Sequence, residues 1–245
     1  MRKIIGLFII IASFSFSVWS QTKPTTTTPP RRAGTAPAGA EDTPDPIAII
    51  DTTSGKMTCT LFPKKAPIGV ANFIGLATGT KDWTSPVTQT KKHGVPLYDG
   101  TIFHRIIPQF MIQGGDPAGT GRGDPGYKFK NETSPDLAFD RPGRLAYANA
   151  GPDTNGSQFF ITEVPYPSLN GGYTIFGQCD DASVELAKQI ARMPSDPRDN
   201  RPFRPVKINH ITIVKAGSDT PTSKATKPAP KKPATVPKTP PGNTP

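Results

Sequence analysis

The sequence predicts a mainly β domain, built as a barrel or a sandwich, between residues 46 and 215. About eight short apolar segments recur in this range, separated by turns that are rich in Gly and Pro. Only two segments have the spacing of an α-helix, one near each end of the range, which differs from the regular alternation of βαβ units. A closed barrel would also leave no free sheet edges. With eight strands its interior would be filled by side chains, so function would lie on the outer wall or in loops.

The domain begins with a predicted hairpin and a helix. Residues 47–50 and 57–62 predict two paired strands, because apolar residues and threonines alternate in the second one. Residues 66–78 predict a helix, since apolar residues recur in them at helical spacing before a glycine ends the pattern. Residues 80–98 are polar and rich in turn formers, and they predict a long loop.

The rest of the domain predicts short strands around an irregular segment, and then a helix and a closing strand. The predicted short strands are 101–107, 110–113, 145–148, 158–162 and 173–177. Residues 181–193 predict the second helix, whose first residues are acidic and therefore suit a helix N-terminus. Residues 206–214 predict a strand covered on both faces. Alternation divides its side chains into two sets: Val206, Ile208, His210 and Val214 against Ile211 and Ile213.

Composition divides the chain into four parts. Residues 1–20 have the basic start, the apolar run and the small residues of a secretory signal; the alternative is an uncleaved membrane anchor. Residues 21–45, rich in Thr, Pro and Ala, predict a disordered linker before the domain at 46–215. Residues 216–245 predict a disordered, basic tail rich in Lys, Pro and Thr, serving either as a spacer or as a weak contact with an anionic envelope surface. We therefore expect an exported protein, periplasmic or secreted.

Charge and cysteine content exclude several classes of function. The formal charge of the chain is +10, but the domain has 19 Lys and Arg against 15 Asp and Glu, too small an excess for a nucleic-acid partner. Three His and two Cys are too few for a His-built metal site or a Cys-rich zinc module, so we expect no metal. We also expect a monomer. Cys59 and Cys179 either pair in an oxidising compartment or remain buried thiols.

Three segments have the composition of a binding site: 103–116, 146–162 and 169–177. In the first, Arg105 lies on a strand, with Phe110, Met111 and Gln113 just after it. This places a guanidinium beside apolar side chains, with a glutamine able to brace it. The second adds Phe160 and an amide-rich turn whose backbone groups suit a peptide chain. The combination fits a proline-containing peptide, although core packing is the alternative for each Phe or Met taken alone.

The same segments resemble the signatures of cyclophilin-type peptidyl-prolyl cis-trans isomerases. FHRIIPQFMIQGGD and ANAGPDTNGSQFFI match two of them, and LNGGYTIFG is similar to a third except for Asn170 in place of Asp. The resemblance spans nearly all of 46–215. It implies a closed eight-stranded antiparallel barrel capped by two α-helices, an external groove, no cofactor, and isomerisation of Xaa-Pro bonds in unfolded or exported proteins. The alternative is a non-catalytic proline-binding or chaperone-like module that uses the same groove.

The resemblance also assigns roles to residues. It implies that Arg105 is the catalytic group and that Gln113 holds it in place. It implies a proline pocket formed by Phe110, Met111, Phe160 and Leu169, with Tyr173 in its wall. It implies contacts to the substrate backbone by Ala148, Asn149 and Ala150. Gln158 would line a neighbouring pocket, and Gly119 would border the rim.

Two positions depart from the commonest pattern of the family. Ser168 stands where many members have Trp, and Tyr173 stands where they have His. Cyclophilins use that Trp in holding cyclosporin, so we predict weak inhibition by the drug; nanomolar inhibition of the purified domain would contradict this. His104 is expected to be a structural histidine that points away from Arg105. Three aspartates in Gly/Pro-rich segments are expected to form turns: Asp116, Asp124 and Asp153.

Overall fold

The computed structural model describes residues 44–215. Its elements, in chain order, are β1 (Ile47–Thr52), β2 (Gly55–Leu61), α1 (Pro67–Thr78), β3 (Trp83–Thr84), β4 (Lys91–Lys92), β5 (Arg105–Ile107), β6 (Met111–Gly114), β7 (Arg144–Tyr147), β8 (Phe159–Thr162), β9 (Ile175–Cys179), α2 (Asp181–Ala191) and β10 (Ile208–Val214). The predicted leader, the tail and all but the end of the predicted linker lie outside the described residues. Within residues 44–215, no helix has the length and apolar character needed to cross a membrane.

Eight of the strands form one curled antiparallel sheet. Their order is β10-β1-β2-β9-β7-β8-β6-β5, and β3 pairs with β4 in a separate two-stranded sheet inside the predicted loop. The segment before β5 also makes backbone hydrogen bonds with the first residue of β10 and with the residues just before that strand. The N–H of Gly100 donates to the carbonyl of Ile208 and the N–H of Phe103 donates to that of Val206, at 2.8 and 2.9 Å. The predicted mainly β class with two helices is confirmed.

Buried apolar side chains form two clusters. The larger one takes residues from both helices and most strands, and includes large rings such as Phe73, Tyr98 and Phe159. The smaller one, which we call the outer cluster, is built by Met111, Phe139, Ala146, Phe160 and Ile175. Seven partly buried residues pack against the outer cluster, among them Phe110, Leu169 and Tyr173. An apolar cluster separate from the main core is therefore available to support a surface site.

The closing strand departs from the predicted alternation. Ile208 and Ile211 are both buried, whereas His210 is exposed and places its Nδ1 2.9 Å from Asp99 Oδ1. In the ladder, Asp51 pairs with His210 but the next residue of β1 pairs with Ile208, so β10 contains one extra residue. Such a bulge reverses which residues face the core. The prediction that both faces are covered is wrong, because the bulge turns His210 to the surface.

The ends of some other elements also differ from the prediction. The predicted strand 101–107 begins only at Arg105, since Ile102 makes an isolated bridge with Lys207. The predicted strand 173–177 is shifted to 175–179. That shift places Cys179 directly opposite Cys59 of β2.

Cys59 and Cys179 form a disulfide bond. Their sulfur atoms are 2.01 Å apart, and the two residues are separated by 120 positions in the sequence. Both side chains are buried within the main core. Of the two alternatives left open by the sequence, the structure has the bonded pair, which joins the first hairpin to the strand before α2.

The N–H groups at the start of helix α1 donate to an acceptor that lies outside the helix. It begins at Pro67, and the residue before it, Ala66, has no side-chain acceptor to offer. Glu132, in the long segment between β6 and β7, accepts from the N–H groups of Ile68 and Gly69 at 2.9 and 2.7 Å. A carboxylate is well suited to this end of a helix because the helix dipole is positive there.

Candidate active site

Strands β5, β6 and β8 lie side by side and place the predicted catalytic group at a cavity. The register pairs Arg105 with Gln113, and Gln113 in turn with Phe160. The cavity has a volume of about 110 Å³. It is lined by nine of the predicted site residues: Arg105, Phe110, Met111, Gln113, Ala148, Asn149, Phe160, Leu169 and Tyr173. We call it the apolar pocket.

A chain of side-chain hydrogen bonds fixes the guanidinium of Arg105. Its NH1 donates to Gln113 Oε1 at 3.3 Å, and Gln113 Nε2 donates to Gln158 Oε1 at 2.9 Å. Gln158 Nε2 then donates to the carbonyls of Gly121 and Gly123, at 3.2 and 2.9 Å. Each glutamine amide therefore has both its oxygen and its nitrogen in hydrogen bonds, which fixes the orientation of the amide. Gln158 in this way orients Gln113, and Gln113 orients Arg105.

The floor of the apolar pocket is rigid. Met111 and Phe160 are only 2% and 4% exposed and belong to the outer cluster. The Phe160 ring stacks on Phe139, with centroids 5.8 Å apart and an angle of 15° between the planes. Tyr173 meets Phe160 edge to face at 5.5 Å. Packing on two sides holds the floor in one shape, which suits recognition of a small apolar ring.

Tyr166 is a residue of this region that the sequence analysis missed. Its ring lies 4.4 Å from that of Phe110, centroid to centroid, and about a third of the residue remains exposed. Its N–H donates to the carbonyl of Phe139 at 2.8 Å, which ties the segment to the outer cluster. Ser168 is exposed in a 3₁₀ turn two residues later. The two prolines that flank Tyr166 were the available signal, because they restrict the backbone on both sides of the ring.

A second cavity, of about 290 Å³, adjoins the apolar pocket. Gln113, Ala148 and Asn149 line both cavities, so these three residues form the boundary between them. Gln158 lines the second one, as predicted for a neighbouring pocket, and so does Ala150, which was predicted to contact the substrate backbone. Its rim also has exposed charged side chains: Arg122, Asp124 and Lys128. We call it the polar pocket.

The Asn149 side chain is held by the loops around it. Its Nδ2 donates to the carbonyl of Gly172 at 2.9 Å, and its Oδ1 accepts from the N–H of Gly151 at 3.2 Å. Gly119, in contrast, lines neither pocket. Its carbonyl accepts a hydrogen bond of 2.6 Å from Arg201 NH1. The structure therefore brings together every predicted site residue except Gly119 in two adjoining pockets.

Asp116 organises the loop that borders the polar pocket. Its carboxylate accepts from the N–H groups of Ala118, Thr120, Gly121 and Gly123, at 2.6 to 3.1 Å. Burial alone would raise the pKa of Asp116, but these hydrogen bonds outweigh it and hold the pKa below its usual value. The expectation that Asp116 forms a turn is confirmed.

His104 is buried and lies outside both pockets. It is 5% exposed, and neither ring nitrogen has a hydrogen-bond partner among the described residues. Burial lowers the pKa of His104, so its imidazole is neutral near pH 7. Because it does not line the apolar pocket beside Arg105, its placement agrees with the expected structural role.

The chain matches the family described as cyclophilin type peptidyl-prolyl cis-trans isomerase/CLD over residues 47–213. This match agrees with the curled antiparallel sheet, the two helices and the arginine beside an apolar pocket. The chain therefore belongs to the cyclophilin-type peptidyl-prolyl cis-trans isomerases. The predicted isomerase function is confirmed with it.

Relatives with known names support this assignment. Peptidyl-prolyl cis-trans isomerase A of Mycobacterium tuberculosis is 53% identical over 167 residues, which cover 68% of this chain and 91% of that protein. Peptidyl-prolyl cis-trans isomerase B of Streptomyces anulatus is 48% identical over 167 residues, covering 68% and 95%. A Cryptosporidium parvum cyclophilin type isomerase, crystallised in the presence of the dipeptide Ala-Pro, has a TM-score of 0.59 and 37% identity, covering 69% of this chain and 99% of that chain.

Proposed function

We propose that this isomerase acts on Xaa-Pro bonds of exported proteins, with Arg105 as the catalytic residue and the apolar pocket as the site of the proline ring. The observation that carries the proposal is the position of the Arg105 guanidinium. It is braced by Gln113 at the edge of a cavity whose floor is Met111 and Phe160. A cation and an apolar floor are thus available to the same small segment of substrate.

The mechanism follows from the electronic structure of the peptide bond. Rotation about that bond costs roughly 18–20 kcal/mol because the C–N bond has partial double-bond character. In the half-rotated state this resonance is lost, and the imide nitrogen becomes pyramidal with a free lone pair. The guanidinium of Arg105 can donate to that nitrogen only in the half-rotated state. The interaction therefore stabilises the transition state more than either planar isomer, which is the condition for catalysis.

The surroundings of Arg105 make this hydrogen bond effective. A guanidinium carries its charge across physiological pH, so a donor is always present. The bond to Gln113 orients it before substrate arrives, and a donor that is already oriented needs little reorganisation during the reaction. The packed floor of the apolar pocket holds the proline ring of the substrate while the substrate residue before proline rotates about the Xaa-Pro bond. None of these steps requires a nucleophile or a proton transfer.

The polar pocket is proposed to receive the substrate residues that precede proline. It shares Gln113, Ala148 and Asn149 with the apolar pocket, so an extended peptide can pass from one to the other. The Cryptosporidium parvum structure obtained in the presence of Ala-Pro supports binding of a proline peptide.

A protease-coupled isomerisation assay on a short Xaa-Pro peptide tests the role of Arg105. Arg105→Ala is expected to lower kcat/KM by about 100-fold or more, the usual cost of removing an electrostatic group of this kind. Arg141→Ala is the matched control, since this exposed arginine pairs with Asp140 and lines neither pocket. Equal rates for Arg105→Ala and wild type would instead support a non-catalytic proline-binding module.

Export is proposed on two grounds. Residues 1–20 have the pattern of a secretory signal. Cys59 and Cys179 form a disulfide, a bond that persists in oxidising compartments and is rare in the cytosol. Fractionation of cells that express the full chain, with mass spectrometry of the mature N-terminus, tests this. A protein that begins at Gln21 outside the cytosol supports it; retention in the membrane with residues 1–20 supports an anchor, and a cytosolic protein contradicts both.

We also propose that the curled sheet closes into a barrel. The hydrogen bonds of Gly100 to Ile208, the first residue of β10, and of Phe103 to Val206, just before it, support this closure. If the sheet is closed there, these two amides exchange with solvent as slowly as amides in the middle of the sheet. Fast exchange of both would leave an open sheet with two edges.

A further inference from the structure

The turn between β5 and β6 has an unusual backbone at a position that matters for the site. Phe110 lines the apolar pocket, and its N–H donates to the carbonyl of Ile107 at 3.2 Å, which closes a turn over Pro108 and Gln109. Gln109 has φ of 60°, in the left-handed region that residues other than glycine rarely adopt. A turn of this kind ordinarily prefers glycine or asparagine at its third position.

The two central residues of this turn are not held in place by packing. The side chains of Pro108 and Gln109 are both exposed, so neither anchors the turn in the core. The strained residue therefore has to be held through its backbone.

Glu163, just after β8, makes that backbone contact. Its carboxylate accepts a hydrogen bond from the N–H of Gln109 through Oε1. Its own N–H donates to the carbonyl of Phe110 at 2.9 Å. Glu163 is thus bonded to the turn on both sides of the Gln109–Phe110 peptide link.

The carboxylate of Glu163 is itself held rigidly. Its side chain is only 1% exposed, and a buried charge is tolerated only when it is paired. Arg192 provides the pair, donating from NH1 to Oε2 at 2.8 Å and from NH2 to Oε1 at 3.2 Å. Arg192 NH1 also donates to the carbonyl of Lys188 in the last turn of α2. The end of α2 is in this way connected to the wall of the apolar pocket.

We propose that Glu163 is a positioning residue for substrate binding. It keeps Gln109 in the left-handed conformation, and so keeps Phe110 against the apolar pocket. The inference rests on the proposed role of that pocket as the site of the proline ring. It assigns to Glu163 no contact with substrate.

The test separates KM from kcat for a Xaa-Pro peptide. Glu163→Ala removes the acceptor for the Gln109 N–H, and we expect KM to rise about tenfold, in line with the loss of one hydrogen bond to a charged group. We expect kcat to change less than about twofold, because the bond between Arg105 and Gln113 is untouched. Glu163→Gln keeps an oxygen for the Gln109 N–H but places its NH2 group against Arg192 NH1, so its KM should lie between those of wild type and Glu163→Ala.

A rescue variant distinguishes positioning from general stabilisation. Glycine adopts φ of 60° without an external acceptor, so Gln109→Gly added to Glu163→Ala should return KM to the wild-type value. Glu185→Ala is the matched control, since this exposed carboxylate of α2 forms an ion pair with Lys188 and lines neither pocket. A folded Glu163→Ala protein with unchanged KM, or a double variant without rescue, would overturn the proposal.

A measurement on the unmodified enzyme covers the case in which Glu163→Ala does not fold. The amide of Gln109 should be strongly protected from hydrogen exchange in the native enzyme, although its side chain is exposed. An unprotected Gln109 amide would overturn the proposal without any variant. Isomerase activity is measured in the same preparation. If the enzyme is active but the Gln109 amide is unprotected, the role of Glu163 is overturned and the proposed role of Arg105 is unaffected.

Discussion

Single buried polar residues set the shape of the loops around the site, and Asp116 is the strongest example. Four backbone N–H groups converge on one carboxylate, so the loop from 116 to 123 has little freedom to rearrange. The neighbouring Gly123 leaves no space for a side chain, because a Cβ added there would lie 2.0 Å from Asp116 Oδ1. The two residues together fix the border of the polar pocket.

We predict that Asp116→Ala lowers the free energy of unfolding by about 2–4 kcal/mol, since four N–H groups, one buried and three partly buried, lose a charged acceptor. Urea denaturation measures this. Asp124→Ala is the control, because Asp124 is exposed and accepts one hydrogen bond from Gly126; we expect a change below about 1 kcal/mol. Similar losses in the two variants would show that the Asp116 carboxylate has no special role.

Because His104 is buried, we predict that the protein loses stability in mild acid. The folded-state pKa of His104 is lowered by burial, so the unfolded chain binds a proton that the folded protein does not. Stability should therefore fall as the pH drops below about 6.5, the usual histidine pKa, and continue to fall until the lowered pKa is reached. The contribution of Asp116 is lost only at more acidic pH, because its folded-state pKa lies below the usual aspartate value.

Denaturation at pH 7 and pH 5.5 checks this. Replacing His104 by Gln should make the unfolding free energies at pH 7 and pH 5.5 more similar than they are in the wild-type protein. His93→Gln, at an exposed histidine that pairs with Asp82, serves as the control. If His104→Gln has the same pH dependence as wild type, the buried imidazole is not its source.

The residues of the site differ in how far the sequence could reveal them. The pairing of Arg105 with Gln113 was within reach, since alternation on adjacent strands puts such residues on one face. Tyr166 and Glu163 were not, because their contacts with the turn at 108–110 depend on how the segment after β8 folds back. The prolines beside Tyr166 indicate a restricted backbone, but they do not indicate where the segment returns.

Elements show the same division between local and distant causes. Both helices were predicted from the spacing of their own apolar residues, and α2 also has a cap within its own sequence, since Asp180 accepts from the Ser183 N–H at 2.8 Å. Helix α1 lacks such a residue and is completed by Glu132, far along the chain. The bulge in β10 was also missed, since one inserted residue leaves no compositional mark.

Glu132→Gln is predicted to destabilise the protein by about 1–2 kcal/mol, through loss of a charge at the positive end of α1. In the wild-type protein each oxygen of the Glu132 carboxylate accepts from one N–H group, whereas the glutamine amide has a single oxygen for both. Thermal or urea unfolding measures the loss, with Glu185→Gln in α2 as an exposed control that should change little. A Glu132→Gln protein as stable as wild type would mean that α1 needs no external cap.

At the largest scale that the structure describes, residues 44–215 form a curled sheet with two helices, and a disulfide joins two strands that are distant in the sequence. The mainly β class and two helices follow from many local patterns that agree with one another, which is why they were predictable. The pairing of Cys59 with Cys179 was not, because it depends on β2 and β9 becoming neighbours in the sheet. A contact between such distant residues can be inferred only once the order of the strands in the sheet is known.

We predict that reduction of the disulfide lowers the free energy of unfolding by about 3–5 kcal/mol, as expected for a bond that closes a loop of about this length. The bond joins residues 120 positions apart, and without it the unfolded chain gains conformational freedom that the folded protein does not. Neither cysteine lines the apolar or the polar pocket, so isomerase activity of the folded protein at 25 °C should be preserved. A variant with both cysteines replaced by alanine should match the reduced protein in stability and should not respond to reductant. If the oxidised and reduced proteins unfold at the same urea concentration, the cross-link contributes nothing to stability, and its value to the cell would have to lie elsewhere.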